Sequence, residues 1–445
     1  WHRDAVAMVA AWVWQPGARR PRAARYAHAM SVSPSSRPQA AAASVAAARA
    51  ADASAPAAQA EVRVDRALTE LRHDRLLLLC AQPGDTTSRV LLAAAAETLS
   101  ARTLDALRDE AQRAGVELRL LLTGERMQAL HRAAGEGGAA PGAADAGSAH
   151  TFGFDEPPSV EAVQRLTAVT SGAADADVLR GARPATAAMQ AAVWLAKRAR
   201  LTPALVVAEL PGAARAALEE AGVVALPAAD VSDPSPYEAV RLLRVSDAHV
   251  PVVGREDCTL VLFREVDASA EHVAILFGEP DRSQPVRVRL HSSCLTGDLL
   301  GSLRCDCGDQ LRNAADHLAE HGGVLLYLAQ EGRGTGLANK LRAYRLQDSG
   351  LDTIDADRYL GFRGDERNFG VAVAMLQQLG IGRVSLLTNN PRKIDSLQRG
   401  GIEVVERIAL IAPANRHNER YLRTKRDRAG HQLDELLSAA ASGLA

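Results

Sequence analysis

Three of the chain's cysteines, Cys294, Cys305 and Cys307, fall within fourteen residues, in the run HSSCLTGDLLGSLRCDCGDQL. The other two, Cys80 and Cys258, lie far away in a chain of 445 residues, too sparse for a disulfide framework. The cluster therefore points to metal or redox chemistry in a reducing compartment, and it obliges the fold to bring the ends of a ten-residue loop together. Thiolates suit the borderline-soft Zn²⁺ ion, and three protein ligands leave a fourth tetrahedral position for water, whose pKa falls to roughly 7 on the metal. Two other readings fit the same spacing. One is a closed structural site with His291 or Asp306 as fourth ligand; the other is three unrelated core cysteines.

Further polar motifs follow in order. QEGRGTGLANK carries Gly332, Gly334 and Gly336 around Arg333 and opens a helix, and Gly-rich turns at helix starts favour phosphate groups. GDERNFG places Asp365 and Arg367 ahead of another helix, where a surface ion pair is the plain alternative. TNNPRK adds Thr388, Asn390 and Lys393 at a third turn, which reads equally as an Asn-capped helix start with Pro391 in its first turn.

Charge decides how an anionic ligand could be held. Lys+Arg number 52 against 53 Asp+Glu, a formal charge of −1, which argues against a strongly basic nucleic-acid binder and requires a local basic site. Only Lys197, Lys340, Lys393 and Lys425 are lysines, a skew that genomic base composition explains. No apolar stretch approaches the about 18 residues of a membrane span.

The pattern predicts an α+β protein of two mixed α/β domains. Residues 1–60 are an Ala/Arg/Ser/Pro mixture expected to be disordered, a transit peptide or a mis-called start with Met30 as the true beginning. Residues 61–248 form the first domain, with helices at 64–72, 103–114 and 185–200, strands at 76–80, 116–123 and 204–209, and a Gly/Ala/Pro-rich loop at 135–147. Residues 249–432 form the second, with strands at 286–290, 324–329, 384–387 and 404–410 and helices at 309–320, 336–348, 367–379 and 391–399; a tail occupies 433–445.

Taken together, the cysteines, the Gly/Arg loop, DER and TNNP closely resemble GTP cyclohydrolase II, over RVRLHSSCLTGDLLGSLRCDCGDQL, YLAQEGRGTGLANKLRAY, LDTIDADRYLGF and LLTNNPRKI. The resemblance implies a zinc-dependent opening of the guanine ring of GTP. Formate and pyrophosphate leave, and 2,5-diamino-6-ribosylamino-4(3H)-pyrimidinone 5′-phosphate remains, the first step of riboflavin biosynthesis. It implies one Zn²⁺ per subunit on Cys294, Cys305 and Cys307, and Mg²⁺ on the triphosphate. Arg289, Leu290, His291, Ser292, Ser293 and Gln310 would lie along the nucleotide. Glu331, Gly332 and Arg333 would read guanine or phosphates, and Thr353, Thr388 and Lys393 would bind GTP. Tyr344 would hydrogen-bond the opening ring, Asp365 would accept a proton and Arg367 would attack the α-phosphorus or clamp it. A cytoplasmic homodimer, with neither nucleic acid nor membrane as partner, goes with this reading.

One departure stands out. The family usually carries Glu just before the first zinc cysteine, where this chain has Ser293. A paralogue opening another ring, or a non-catalytic GTP-binding regulator, is the alternative. The first domain resembles a decayed 3,4-dihydroxy-2-butanone 4-phosphate synthase, through RALTELRHDRLLLLC and AAVWLAKRARLTPALVVAEL. Its acidic metal loop is replaced by AQPGDTTSRV and its histidine turn by RGARPATAA, so it is expected to be catalytically silent.

Overall fold

In the computed structural model, the described residues are 55–81, 88–133, 148–167, 181–231, 240–252, 255–266, 270–410, 412, 415, 417–430 and 432–433. The expected loop at 135–147, most of the first fifty-five residues, the AQPGDTTSRV turn for the greater part and the tail beyond 433 lie outside them. Two seven-stranded sheets organise what is described, each with helices packed on it.

The first sheet runs in the order β5-β4-β3-β6-β2-β1-β7. Its strands are β1 (Leu77–Cys80), β2 (Val90–Ala95), β3 (Arg119–Thr123), β4 (Ala149–Gly153), β5 (Arg183–Pro184), β6 (Ala204–Leu210) and β7 (Val224–Pro227). Every strand contact is antiparallel except β1 with β7. Both faces are covered, which is why LLLC and VLLAAA are unbroken apolar runs. Leu77 and Leu79 pack with α1 (Ala55–Arg72) and α5 (Ala187–Arg198). Leu78 and Cys80 pack with α2 (Ala101–Arg113), α3 (Gly124–Ala133), α4 (Val160–Thr167) and α6 (Ala214–Glu220).

Helix α1 corrects one expectation, since it begins at Ala55, inside the segment read as disordered. Alanine is the best helix former, and Val64, Ala67, Leu68 and Leu71 give it one apolar stripe to bury. Strand β2 was not foreseen either. VLLAAA has no strand periodicity, and its pairing with β1 and β6 overrides the helical preference of its alanines.

The second sheet runs β14-β13-β11-β12-β10-β9-β8. It starts with β8 (Leu242–His249), ahead of the boundary expected at 249, and continues with β9 (Cys258–Glu265) and β10 (Glu271–Phe277), all antiparallel. Then follow β11 (Val286–Ser292), β12 (Gly323–Leu328), β13 (Arg383–Leu387) and β14 (Glu403–Ile408), mutually parallel where they pair. The chain leaves β11 through α7 (Cys307–His321), which packs with Leu325 and Ile275 on one face. From β12 it passes through α8 (Leu337–Asp348), α9 (Thr353–Tyr359) and α10 (Gly370–Gln378). Helices α10 and α11 (Pro391–Arg399) cover the other face against Val286, Val288 and Leu290. Consecutive crossovers thus diverge from β11, to β12 on one side and β13 on the other. That makes the carboxyl end of β11 a topological switch point, where open sheets leave a crevice.

Candidate active site

The loops following β11, β12 and β13 meet at this crevice, and a last helix, α12 (Glu419–Ala429), closes against it. Cys294, at the end of β11, opens a single wide turn over Leu295–Leu299, its sulfur accepting from the Gly297 amide at 3.3 Å. Cys305 and Cys307 return at the start of α7, and the three sulfurs lie within 4.8 Å of one another, Cys294 and Cys305 at 3.7 Å. None is in a disulfide, and they are the one group of three or more Cys, His, Asp or Glu among the described residues that could hold a metal ion.

The donor set fits zinc. A Cβ at Gly297 would stand 3.0 Å from both Cys294 Sγ and Cys305 Sγ, so glycine keeps the space between the sulfurs clear. Lys340 Nζ donates to Cys294 Sγ at 3.0 Å and to Glu331 Oε1 at 2.8 Å. Hydrogen bonds from the other two thiols, with Lys340, hold Cys294 well below the usual thiol range, while sharing with Cys294 pushes Cys305 and Cys307 up. Neither His291 nor Asp306 has a ligand atom grouped with the three sulfurs. His291 Nε2 faces Asp298 at 3.0 Å, and the ring stacks on Tyr327, whose hydroxyl donates to the same carboxylate at 2.9 Å. Asp306 accepts from Lys425 Nζ at 2.7 Å and from Gln310 Nε2 at 2.5 Å.

Beside the sulfurs lies a small cavity of about 100 Å³, lined among others by Ser293, Tyr344 and Thr353. It shares Ser292, Cys307, Arg333, Arg367 and Tyr421 with a larger cavity of about 470 Å³. The larger one is a basic basin. Arg289, His291, Gln310 and Lys393 reach it, and so do Arg358, Arg363, Arg392, Lys425 and Arg428, which were not singled out as site residues. Burial pushes the Arg289 guanidinium down to about 10 and the Lys393 ammonium well below its ordinary value, the latter also through Arg289 and Arg367 nearby. Arg289, Lys393 and Lys425 are buried, and a crowd of cations of this kind suits a multiply charged anion.

Asp365 and Arg367 are no surface pair. Both side chains are 13% exposed, and they meet in a bidentate contact, Nε to Oδ1 at 2.8 Å and Nη2 to Oδ2 at 2.7 Å. Burial alone would raise the Asp365 carboxyl, but Arg367 and Arg392 hold it well below the usual range; Asp365 in turn raises Arg367. The EGRG loop packs directly on this pair. Arg333 itself lies in the left-handed region at φ 58°, between glycines, and its carbonyl accepts from the Glu366 amide at 3.0 Å. A Cβ at Gly334 would stand 2.9 Å from the Glu366 carbonyl carbon and oxygen, so a larger residue would push the two loops apart.

These features agree with what the chain is similar to. The family model for GTP cyclohydrolase II matches residues 244–409. A GTP cyclohydrolase-2 of Xylella fastidiosa (strain Temecula1) is 40% identical over 380 residues, 84% of this chain and 88% of that protein. The chain belongs to the GTP cyclohydrolase II family. The enzyme of that name from Azospirillum brasilense is 53% identical over 247 residues, 55% of this chain but 64% of its own length. That from Enterobacter sp. (strain 638) is 50% identical over 197 residues, 44% of this chain and all of its own. Among solved structures, a two-domain 3,4-dihydroxy-2-butanone 4-phosphate synthase from A. baumannii covers 79% of this chain at 17% identity, with a TM-score of 0.30, too loose a superposition to argue from.

The crevice of this GTP cyclohydrolase II family member gathers most of the residues singled out by sequence. Arg289, His291, Ser292, Gln310, Arg333, Asp365, Arg367 and Lys393 line the basin; Ser293, the cysteines, Glu331, Gly332, Tyr344 and Thr353 line the smaller cavity. Two expected contacts do not reach either wall. Leu290 is core, offering only its carbonyl to Lys393 Nζ at 2.7 Å. Thr388 is buried behind the turn, its hydroxyl accepting from the Asn390 amide at 3.0 Å. At the start of α8 Gly336 abuts the Arg200 side chain, and the helix turns Lys340 and Tyr344 to the site. Glu331 is engaged within the protein, by Lys340 and by the Leu295 amide at 2.7 Å.

Proposed function

We propose that this protein opens the guanine ring of GTP, releasing formate and pyrophosphate and leaving 2,5-diamino-6-ribosylamino-4(3H)-pyrimidinone 5′-phosphate, at the entry to riboflavin biosynthesis. The observation that carries the reading is the continuity of the two cavities. A sulfur trio suited to zinc and an arginine basin suited to a triphosphate share Cys307, Arg333 and Arg367 in one wall. The base would sit by the sulfurs and the phosphates in the basin.

A zinc ion on Cys294, Cys305 and Cys307 would supply Lewis-acid activation of water near neutral pH. The protein's own groups do the rest. Arg289 is anchored by Gln310 Oε1 at 2.6 Å and the Leu387 carbonyl at 3.0 Å, so it presents a fixed charge to the phosphates. Burial raises the Tyr344 phenol above its ordinary value, which keeps it protonated and able to donate to the opening ring. Arg367, made more basic by Asp365, has no lone pair to offer at neutral pH, which supports a clamp on the developing phosphoryl charge over a nucleophile. Asp365 then holds that clamp in register. Mg²⁺ on the triphosphate, a homodimer and a cytoplasmic location belong to the same proposal; no described helix is long and apolar enough to cross a membrane.

The test is incubation of zinc-analysed protein with GTP and Mg²⁺, reading formate and pyrophosphate together. Equal amounts of both are expected. Nucleotide bound but unchanged would favour a regulator, and faster turnover of another nucleotide would assign Ser293, on the wall beside Cys294, to a different ring.

A further inference from the structure

The chain uses arginine almost everywhere a positive charge is needed, and its four lysines are exceptions with a common address. Lys340 touches Cys294, Lys393 lies in the basin, and Lys425 grips Asp306 between two of the cysteines. The fourth, Lys197, is in the other domain. It lies on α5, packed on the first sheet, yet its Nζ donates to Glu366 Oε1 at 2.7 Å, with the two side chains 6% and 8% exposed. Glu366 is the residue between Asp365 and Arg367. Its side chain also accepts from the Arg363 amide at 2.7 Å, and its own amide donates to the Arg333 carbonyl. A compact ammonium, unlike a planar guanidinium, fits a buried slot already shared with a backbone donor.

Other ties run between the same partners. Arg200 donates to the Ala329 carbonyl at 3.0 Å and accepts, through its own carbonyl, from Asn339 at 3.0 Å. Arg342 bonds Glu97 at 2.8 Å, and Thr123 donates to the Gly361 carbonyl at 2.9 Å. The segments so held are those that carry Glu331, Arg333, Tyr344 and Asp365.

We propose that Lys197 is a positioning residue for the reaction in the second domain: its buried pair with Glu366 sets the Asp365–Arg367 clamp against the EGRG loop. The first domain then braces the crevice of this chain through Lys197. The inference rests on the GTP-opening reading for its catalytic consequence, but not for its structural one. A misplacement of the order of 1 Å can cost a large factor in rate, about 10²-fold.

The test is Lys197→Met in the full chain. Measured well below its melting temperature, kcat for pyrophosphate release should fall about tenfold or more while KM for GTP rises less than about threefold. Zinc content should stay at the parent level. Adding Glu366→Gln should then cost little more, because both substitutions cut one link. Hydrogen exchange across residues 363–369 needs no turnover and should be faster in Lys197→Met. Parent-like kcat and exchange in the zinc-loaded variant, or fully additive losses in the double variant, would overturn the proposal. If the parent itself fails to turn GTP over, the function reading falls and exchange alone decides this one. Should Lys197→Met not fold, Lys197→Arg replaces it: lowered kcat or faster exchange supports the role, and parent values in both reject it.

Discussion

The contact between Lys425 and Asp306 offers the sharpest perturbation of the metal loop that leaves every cysteine in place. Asp306 sits between Cys305 and Cys307 with its side chain 2% exposed, and Lys425, 10% exposed, reaches it from α12. The same carboxylate holds Gln310, which holds Arg289, so one ion pair ties the thiol loop to the anion basin. Lys425→Met removes the charge but keeps most of the stem. Breaking a buried pair from one side costs about 3–5 kcal/mol, because the remaining ion is left uncompensated. The Gln310 amide still bonds Asp306, which argues for the lower end, about 3 kcal/mol. If that cost falls on the geometry of the loop, it weakens zinc affinity by about two orders of magnitude, at 1.4 kcal/mol per factor of ten. Competition against a chromophoric chelator measures it directly, with thermal unfolding alongside. Asp306→Asn added to Lys425→Met should recover much of the loss, since no charge is then stranded. Zinc affinity within about threefold of the parent in Lys425→Met would refute the reasoning, because the stranded Asp306 would then have cost the loop less than about 1 kcal/mol.

Three further expectations follow from the same geometry. Cys305→Ser should lose bound zinc and formate release together, and full activity in a zinc-free Cys305→Ser protein would remove the cysteines from the chemistry. Arg367→Ala should abolish pyrophosphate release with zinc still bound, since its side chain contacts Asp365 rather than the sulfurs; turnover at the parent rate would dismiss Arg367 as clamp or nucleophile. Lys393 is held well below its ordinary value, chiefly by burial, so the folded apoprotein carries fewer protons there than the unfolded chain and its contribution to stability rises with pH. A triphosphate in the basin reverses that bias and should draw a proton in. Calorimetry in buffers of different ionisation enthalpy, scanned over pH below the ordinary lysine range, should show net uptake that shrinks in Lys393→Met, and an equal slope in both proteins at every pH would show that the proton goes elsewhere.

The second domain was readable where local pattern and tertiary role coincide. Strands β11 to β14 carry apolar residues between Gly, Pro and polar turns, and α7 and α11 are amphipathic enough to declare themselves, whereas the short α9 escaped. Strands β8 to β10 escaped, because CTLVLFRE and EHVAILF mix face-alternation with runs, and only their mutual pairing makes them a sheet. The basin's Arg358, Arg363, Arg392 and Arg428 also escaped, since arginine is everywhere in this chain and these four come from three separate segments. The scarcity of lysine was the one available signal, and base composition hid it.

Local chemistry was enough to mark the cysteine spacing, the glycine–arginine loop and the DER and TNNP turns, because each depends on residues close together in the chain. Which partners those residues meet could come only from the folded molecule. His291 and Asp306 are engaged by Asp298 and Lys425, and Glu366 is held by a lysine 169 residues upstream. Burial and charge compensation act through space, and a linear pattern carries no record of which distant side chain will fill a given slot.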